Sequence, residues 1–333
     1  MAVDFRESLV VGISSRALFD LETENALFER EGVDSYRAYQ QQNERVVLKP
    51  GTAFHLVKAL LALNGQDSQT RLVEVVVMSR NSPETGVRVL NSIEHHGLDI
   101  SRAVFASGEP LHPYLEAFDV NLFLSKSAED VQAAIDGGVA AAVICAPPQG
   151  YNPARGKIRI AFDGDSVLFS DESEQIFKER GLAAFQEHER ANRDTPLPAG
   201  PFARLLQTLV FLQKKFPRDR CPVRLAVVTA RCNPAHLRVI QTFRAWGVEV
   251  DEAFFLGGIS KDKVLKAFNA HIFFDDQELH LESASKVVPS GKVPYRSGSP
   301  LNNLSNQPHP PAKPQAGGES GADRKGLVKT GKG

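Results

Sequence analysis

The sequence has few cysteines, no long apolar run and almost no net charge. Its three cysteines, Cys145, Cys221 and Cys232, show no CxxC spacing and leave an odd count, which favours structural thiols in a reducing compartment. No stretch approaches the roughly 18 apolar residues of a membrane span. The net charge of −1 at pH 7 gives no overall field to attract nucleic acid. We therefore expect neither a membrane nor a nucleic-acid partner.

The N-terminal stretch MAVDFRESLVVGIS is too charged and its apolar run too short for a secretory signal peptide. With 333 residues, 42% apolar and 24% charged, the chain has the composition of a globular protein with two domains or one large double core. These features together predict a cytoplasmic protein.

Landmarks of the first half of the sequence recur in the second half at an offset of about 150 positions. The matching pairs include Leu18 and Leu168, Phe19 and Phe169, Gly97 and Gly247, and Phe123 and Phe273. A fixed offset sustained along a chain indicates a duplicated unit.

The two halves differ at acidic positions. The second half carries Asp163, Asp165, Asp275 and Asp276, and the first half has at the matching positions Ile13, Ser15, Ser125 and Lys126. This asymmetry predicts one active half and one degenerate half.

Apolar segments alternate with helical patterns in both halves. The predicted strands are 9–14, 72–78, 102–106, 120–124, 139–145, 159–165, 224–229, 251–256 and 271–274. Such alternation implies parallel sheets covered on both faces. We predict an α/β fold of two pseudo-repeated halves, residues 1–148 and 149–296. Each half carries a cap-like helical insertion, which in the second half spans 173–216.

From residue 297 the composition changes to proline, glycine, serine, asparagine and lysine, with few apolar residues. Such a segment buries too little apolar surface to offset the entropy of ordering it. The composition therefore predicts a disordered tail over 297–333.

The segment Phe162-Asp163-Gly164-Asp165 is the most informative motif. A predicted strand delivers two aspartates to its carboxyl end, which is where parallel α/β sheets bind ligands. The first carboxylate suits a nucleophile and the second suits a general acid for the leaving oxygen. Taken alone, Asp-Gly-Asp is also a common turn.

Further polar residues follow in order, each at the edge of a predicted strand or helix: Thr229, Lys261 and the pair Asp275-Asp276. A hydroxyl and an ammonium suit the oxygens of a phosphoryl group. Carboxylates suit Mg²⁺. Individually, Thr229 could be a helix cap, Lys261 a solvated charge and the acid pair a strand terminator. Their combination favours a phosphoryl-transfer site.

This order of motifs resembles the haloacid dehalogenase superfamily, whose fold is Rossmann-like. The longer strings AFDGDSVLFSDESE, FQEHERAN, LPAGPF and HIFFDDQ resemble the cytosolic type I 5'-nucleotidases, and the resemblance covers about residues 8–296. It implies Mg²⁺-dependent hydrolysis of nucleoside 5'-monophosphates, AMP foremost, through an aspartyl-phosphate. It also implies a homo-oligomer activated by a nucleoside diphosphate.

The resemblance assigns roles to individual residues. It implies that Asp163 is the nucleophile and Asp165 the acid and base, and that Thr229 and Lys261 hold phosphate. It implies that Asp275 binds metal, and we expect the full metal set to be Asp163, Asp165, Asp275 and Asp276.

Other candidates carry weaker signals. In the insertion, Phe185 and His188 could contact a nucleobase, although an ordinary amphipathic helix explains them as well. In the first half, Arg16 could hold an anion in the substrate pocket or in an effector site. The histidines His271 and His280, near the acid pair, match no zinc template and are read as surface or core residues.

Two other functions remain open at this point. One is a phosphatase for a sugar phosphate or another small monoester, which the acids alone do not distinguish from a nucleotidase. The other is a nucleotide sensor without turnover. The complete acid set disfavours the sensor, because a pure binding protein gains nothing from a nucleophile beside a metal.

Overall fold

The computed structural model describes residues 5, 7–65, 71–153 and 156–304. Within these ranges ten strands form one sheet. The strands are β1 Leu9–Ile13, β2 Val73–Ser79, β3 Arg102–Phe105, β4 Leu122–Ser125, β5 Ala140–Ile144, β6 Ile158–Phe162, β7 Val223–Thr229, β8 Glu252–Phe255, β9 Ile272–Asp275 and β10 Ser290–Lys292.

The helices of the described ranges connect these strands. They are α1 Ser15–Leu18, α2 Glu22–Gln42, α3 Phe54–Leu61, α4 Val87–His95, α5 His112–Ala117, α6 Ala128–Asp136, α7 Glu172–Ala191, α8 Ala203–Lys214, α9 His236–Trp246, α10 Asp262–Phe268, α11 Glu278–Ala284 and α12 Leu301–Leu304. None of these helices has both the length and the apolar character that a membrane span requires.

The strand order across the sheet is β3-β2-β1-β4-β5-β10-β9-β6-β7-β8. Neighbouring strands run parallel except at the centre, where β5 and β10 pair antiparallel. Read inward from either edge, the two sets of five strands have the same order. The fold is therefore α/β with a mostly parallel sheet, as predicted, but the strands form a single sheet.

Strand β10 was missed in the sequence because it lacks an apolar run. Its residues are Ser-Gly-Lys, and Gly291 pairs with Ile144 of β5. A Cβ atom at Gly291 would lie 2.9 Å from the Ala142 Cβ, so glycine permits the close approach of the two central strands.

The strands are buried because helices cover both faces of the sheet. All seven residues of β2 are buried, and six of the seven in β7. This burial explains the near-continuous apolar runs that predicted parallel strands.

The long helices α2 and α7 each follow the first strand of their half and bend at a glycine. Gly32 has φ 82° and ψ −173°, and Gly181 has φ 79° and ψ −179°. This backbone conformation is essentially restricted to glycine. The matching bends and the matching strand orders support an internal duplication, which stays a prediction, as do the domain boundaries at 148 and 296.

The predicted start of the disordered tail at residue 297 was wrong, because residues 297–304 pack on the body. Ser297 Oγ donates a hydrogen bond to Asp136 at 2.5 Å, Ser299 Oγ donates to Asp171, and Leu301 is buried. The polar composition hid these contacts, since the serines find carboxylate partners far away in sequence. Residues 305–333 of the predicted tail lie outside the described residues.

The bend of α7 predicts a cost for adding a side chain at Gly181. We expect Gly181→Ala to lower the free energy of unfolding by about 1–3 kcal/mol, because alanine is strained at this φ and ψ. Urea unfolding measures the change. Gly298→Ala is the control, since Gly298 has open space around it and no left-handed φ. Equal effects of the two substitutions would contradict the strain argument.

Candidate active site

Three of the predicted polar residues meet at one edge of the sheet. Asp163 follows β6 directly, Thr229 ends β7 and Asp275 ends β9. Since β7, β6 and β9 are adjacent and parallel, their carboxyl ends place these side chains together. All three residues are buried.

Lys261 lies between two of the aspartates. Its Nζ is 2.8 Å from Asp163 Oδ1 and 2.7 Å from Asp275 Oδ2, and the residue is 2% exposed. Burial alone would lower the pKa of Lys261, but Asp163 and Asp275 outweigh burial and raise it. The lysine is therefore a buried cation shared by two carboxylates, and not the solvated charge that was one alternative.

Thr229 borders the Asp-Gly-Asp turn. Its Oγ1 accepts a hydrogen bond from the Arg231 backbone N–H at 3.2 Å. A Cβ atom at Gly164 would lie 3.2 Å from Thr229 Oγ1, so glycine leaves room for the hydroxyl beside the turn. Phosphate binding by Thr229 and Lys261 stays a prediction.

Asp165 is held by Arg231, a residue to which the sequence analysis assigned no role. Arg231 Nε donates to Asp165 Oδ2 at 2.8 Å and Nη2 donates to Oδ1 at 2.6 Å. The arginine is 3% exposed. Its position two residues after the end of β7 was the available signal, because a side chain there is close to the carboxyl edge of the sheet.

Glu189 of α7 anchors the helix above the site. It is fully buried and accepts hydrogen bonds from Arg231 Nη1 at 2.5 Å, Arg238 Nη1 at 2.9 Å and Ser173 Oγ at 2.9 Å. Because Arg231 also binds Asp165, a continuous buried network joins α7 to the Asp-Gly-Asp turn.

The two predicted residues of the insertion have different surroundings. The Phe185 ring centroid lies 5.5 Å from Arg231 Cζ, so this ring contacts the network that holds Asp165. His188 Nε2 lies 3.2 Å from Arg238 Nη1 and 3.3 Å from Glu172 Oε1. Phe185 therefore lies beside the network at the site, whereas His188 is held by Arg238 and Glu172.

Arg16 is not brought to this site. It follows β1, and four strands separate β1 from β6 in the sheet, a distance of about 24 Å at the usual strand spacing. Because β5 and β10 pair antiparallel, the carboxyl ends of the first five strands also lie at the opposite edge of the sheet.

Ligand atoms of Asp163, Asp275 and His280 lie within 4.8 Å of one another, close enough to hold one metal ion. His280 was not among the predicted site residues, although its Nδ1 is 3.2 Å from Asp275 Oδ2. Asp165 and Asp276, both predicted ligands, are not in this group.

The buried acids favour a nearby cation. Burial raises the pKa of Asp276 well above its usual range, with further contributions from Asp275 and Asp163. Its Oδ2 accepts a hydrogen bond from Tyr295 Oη at 2.7 Å, and its buried Oδ1 has no hydrogen-bond partner among the described residues. Burial likewise raises the pKa of Asp163 against the opposing effect of Lys261. Carboxylate oxygens dominate this donor set, which fits Mg²⁺.

The buried network predicts that Glu189 is essential to stability. We expect Glu189→Gln to lower the free energy of unfolding by about 3–5 kcal/mol, because it leaves the buried Arg238 without its carboxylate partner and removes one of the two carboxylates that pair with the buried Arg231. Denaturant unfolding tests this, with Glu187→Gln as the control, since Glu187 lies on the same helix but is exposed. A loss no larger than that of the control would show that the arginines find other partners.

The sequence was also compared with known proteins. A family model described as 5'-nucleotidase matches residues 1–300. Cytosolic 5'-nucleotidase 1B of Homo sapiens is 39% identical over 292 residues, which cover 85% of this chain and 48% of the relative. The chain thus spans about half the length of that relative.

A comparison with solved structures gave one distant match. It is histidinol dehydrogenase from Elizabethkingia anophelis, with 10% identity, a TM-score of 0.22, and coverage of 88% of this chain and 54% of that chain. A similarity at this level supports no conclusion. The match of the family model over most of the sequence, together with the human relative, shows that the chain belongs to the 5'-nucleotidase family.

Proposed function

We propose that the chain is a Mg²⁺-dependent hydrolase of nucleoside 5'-monophosphates, AMP foremost, that acts through an aspartyl-phosphate. The main support is the buried arrangement of Asp163, Lys261 and Asp275 at the carboxyl edge of the sheet in a chain of the 5'-nucleotidase family. This arrangement offers a carboxylate nucleophile, a cation for phosphate oxygens and acids for a metal.

In this mechanism Asp163 attacks phosphorus. A bond forms between an Asp163 carboxylate oxygen and phosphorus, and the bond from phosphorus to the nucleoside 5'-oxygen breaks. Asp165 gives a proton to the leaving oxygen, then takes a proton from the water that hydrolyses the aspartyl-phosphate. Lys261 and Thr229 contact the phosphoryl oxygens and offset their charge, so that an anionic carboxylate can approach.

The contact between Asp165 and Arg231 must break for this proton transfer. A carboxylate that accepts two hydrogen bonds from one guanidinium has no proton to donate. The phosphate of a substrate is a competing partner for Arg231. We therefore propose that substrate binding draws Arg231 from Asp165 and frees the carboxyl group to take up a proton.

Asp163 and Asp275 would hold the metal, with His280 or Asp276 completing the protein ligands. The metal supplies positive charge that stabilises the transferring phosphoryl group. Asp165 belonged to the predicted metal set, but in the present conformation its carboxylate binds Arg231.

The location and assembly of the protein are also proposed. The human relative is named as cytosolic, and we propose the cytoplasm for this chain. A homo-oligomer and activation by a nucleoside diphosphate stay proposals that rest on the family resemblance. A phosphate-release panel over nucleoside monophosphates and sugar phosphates separates the nucleotidase from the small-monoester phosphatase.

The nucleophile assignment predicts the effect of two substitutions. Asp163→Asn should reduce phosphate release from AMP to background with the fold intact, because the amide has a similar shape but does not attack phosphorus. Asp165→Asn should slow release by about 10²–10⁴-fold, through loss of leaving-group protonation. Asp194→Asn is the control, since its side chain is 79% exposed. Phosphate release by Asp163→Asn at the unsubstituted rate would exclude this nucleophile.

The metal assignment predicts that a chelator abolishes phosphate release and that added Mg²⁺ restores it. Asp275→Asn should raise the Mg²⁺ concentration needed for half-maximal activity, because one carboxylate ligand is lost. Glu278→Gln provides the comparison, since Glu278 lies nearby on an exposed face and pairs with Lys292. Full activity in the chelator would rule out the metal.

A further inference from the structure

A cavity of about 550 Å³ opens at the carboxyl edge of the first five strands, and we name it the first-half cavity. Its lining includes the polar side chains of Ser15, Arg16, Tyr36, Ser79, Ser125 and Lys126. Its volume lies within the range of about 300–1,000 Å³ that is usual for small-molecule sites.

The first-half cavity occupies the position in its half that the acid site occupies in the other. At the end of β2, Ser79 Oγ accepts a hydrogen bond from the Asn81 backbone N–H at 3.2 Å. At the end of β7, Thr229 Oγ1 accepts from the Arg231 backbone N–H, also at 3.2 Å. The same local backbone turn therefore presents a hydroxyl in both halves.

The ends of β4 and β9 match in the same way. Ser125 Oγ accepts from the Ser127 backbone N–H at 3.1 Å, and Asp275 Oδ1 accepts from the Gln277 backbone N–H at 2.8 Å. The bent helix α2 lines the cavity in the first half, as α7 lies over the acids in the second. The scaffold of the acid site thus recurs around the cavity.

The chemical groups of the two sites differ. Asp163 is matched by Ile13, which is fully buried. Lys261 immediately precedes α10, and the corresponding residue before α5 is Leu111. The cavity therefore has no carboxylate at the position of the nucleophile, and its scaffold can bind a ligand without attacking it.

Two cationic side chains of the cavity, Arg16 and Lys126, are suited to bind an anion. Glu22 Oε2 is 3.0 Å from Arg16 Nη2, and Glu22 Oε1 is 3.1 Å from Lys126 Nζ. The Glu22 side chain is 53% exposed, so a bound anion can displace it at low cost. The buried Nε of Arg16 and Nδ2 of Asn81 have no hydrogen-bond partner among the described residues.

The acids that line the cavity do not oppose an anion. Glu24 pairs with Arg88 at 2.7 Å and Asp130 pairs with Arg80 at 2.6 Å. Their charges are offset locally, whereas Arg16 and Lys126 share a single exposed carboxylate. Ser15 and Ser79 add hydroxyl groups, with their Oγ atoms 3.1 Å apart.

Aromatic side chains of α2 lie beside these polar groups. The rings of Phe28 and Tyr36 meet edge to face with centroids 5.9 Å apart, and Phe28 is 44% exposed. Exposed aromatic surface of this kind suits a planar ring. A nucleotide carries both an anionic phosphate and a planar ring, and so matches both parts of this lining.

We infer that the first-half cavity is a second nucleotide-binding site, which holds its ligand without hydrolysing it. The site is separate from the acid site, because the antiparallel pairing of β5 and β10 puts the two carboxyl edges on opposite sides of the sheet. The inference goes beyond the proposed hydrolysis and does not depend on turnover at Asp163.

The test measures binding of AMP to the full chain in the presence of a chelator, by equilibrium dialysis. The first-half cavity has no need of a metal, so binding should persist there. Lys126→Ala and Tyr36→Ala should each weaken this binding by about tenfold or more, through loss of a charged hydrogen-bond donor and of a ring contact. Lys215→Ala is the matched control, because Lys215 pairs with Glu7 and does not line the cavity.

Photolabelling with 8-azido-AMP locates the bound ring, and we expect labelled peptides from residues 22–42. Label confined to residues 172–191, or an unchanged affinity in both Lys126→Ala and Tyr36→Ala, would overturn the inference. Circular dichroism shows whether each variant is folded, and Lys126→Gln repeats the test with a milder change. Binding is independent of phosphate release, so absence of hydrolysis would count against the proposed function and not against this site.

Discussion

The buried contact of Lys261 with Asp163 and Asp275 is the constraint on which the site depends. Charged groups lose much solvation free energy on burial, and only close, well-oriented partners offset the loss. The contact requires that β6 and β9 be adjacent and parallel and that α10 begin at the same edge of the sheet. The strand order is therefore tied to the chemistry, since a different order would leave Lys261 or the acids buried without a partner.

The antiparallel pairing of β5 and β10 determines how the two sets of strands are arranged in the sheet. It unites two sets of parallel strands into one sheet and directs their carboxyl ends to opposite edges. Ligands that bind at such edges then occupy separate places. Where the second half has Asp163 and Asp275 at its strand ends, the first half has Ile13 and Ser125, so the proposed chemistry is confined to one edge. The other edge retains the hydroxyl groups and cations that suit binding.

Much of this arrangement was predictable from local sequence. The apolar runs predicted the long strands, and the positions of Asp163, Thr229, Lys261 and Asp275 at element edges predicted where these residues meet. The features that the sequence did not predict depend on contacts between residues far apart in the chain. Strand β10 forms because Gly291 fits against Ala142, and residues 297–304 are ordered because their serines reach distant carboxylates. No local sequence pattern predicts contacts between residues so far apart in the chain.

The network of Asp165, Arg231 and Glu189 was missed for the same reason, and it bears on how the site works. Arg231 binds the Asp-Gly-Asp turn through Asp165 and the overlying helix α7 through Glu189, so one buried guanidinium links the two. A ligand that displaces Asp165 from Arg231 therefore changes the contacts of both the turn and α7. Since Glu189 also binds Arg238 and Ser173, it keeps partners if Arg231 turns toward a phosphate. The network can thus release Asp165 while α7 stays anchored over the site.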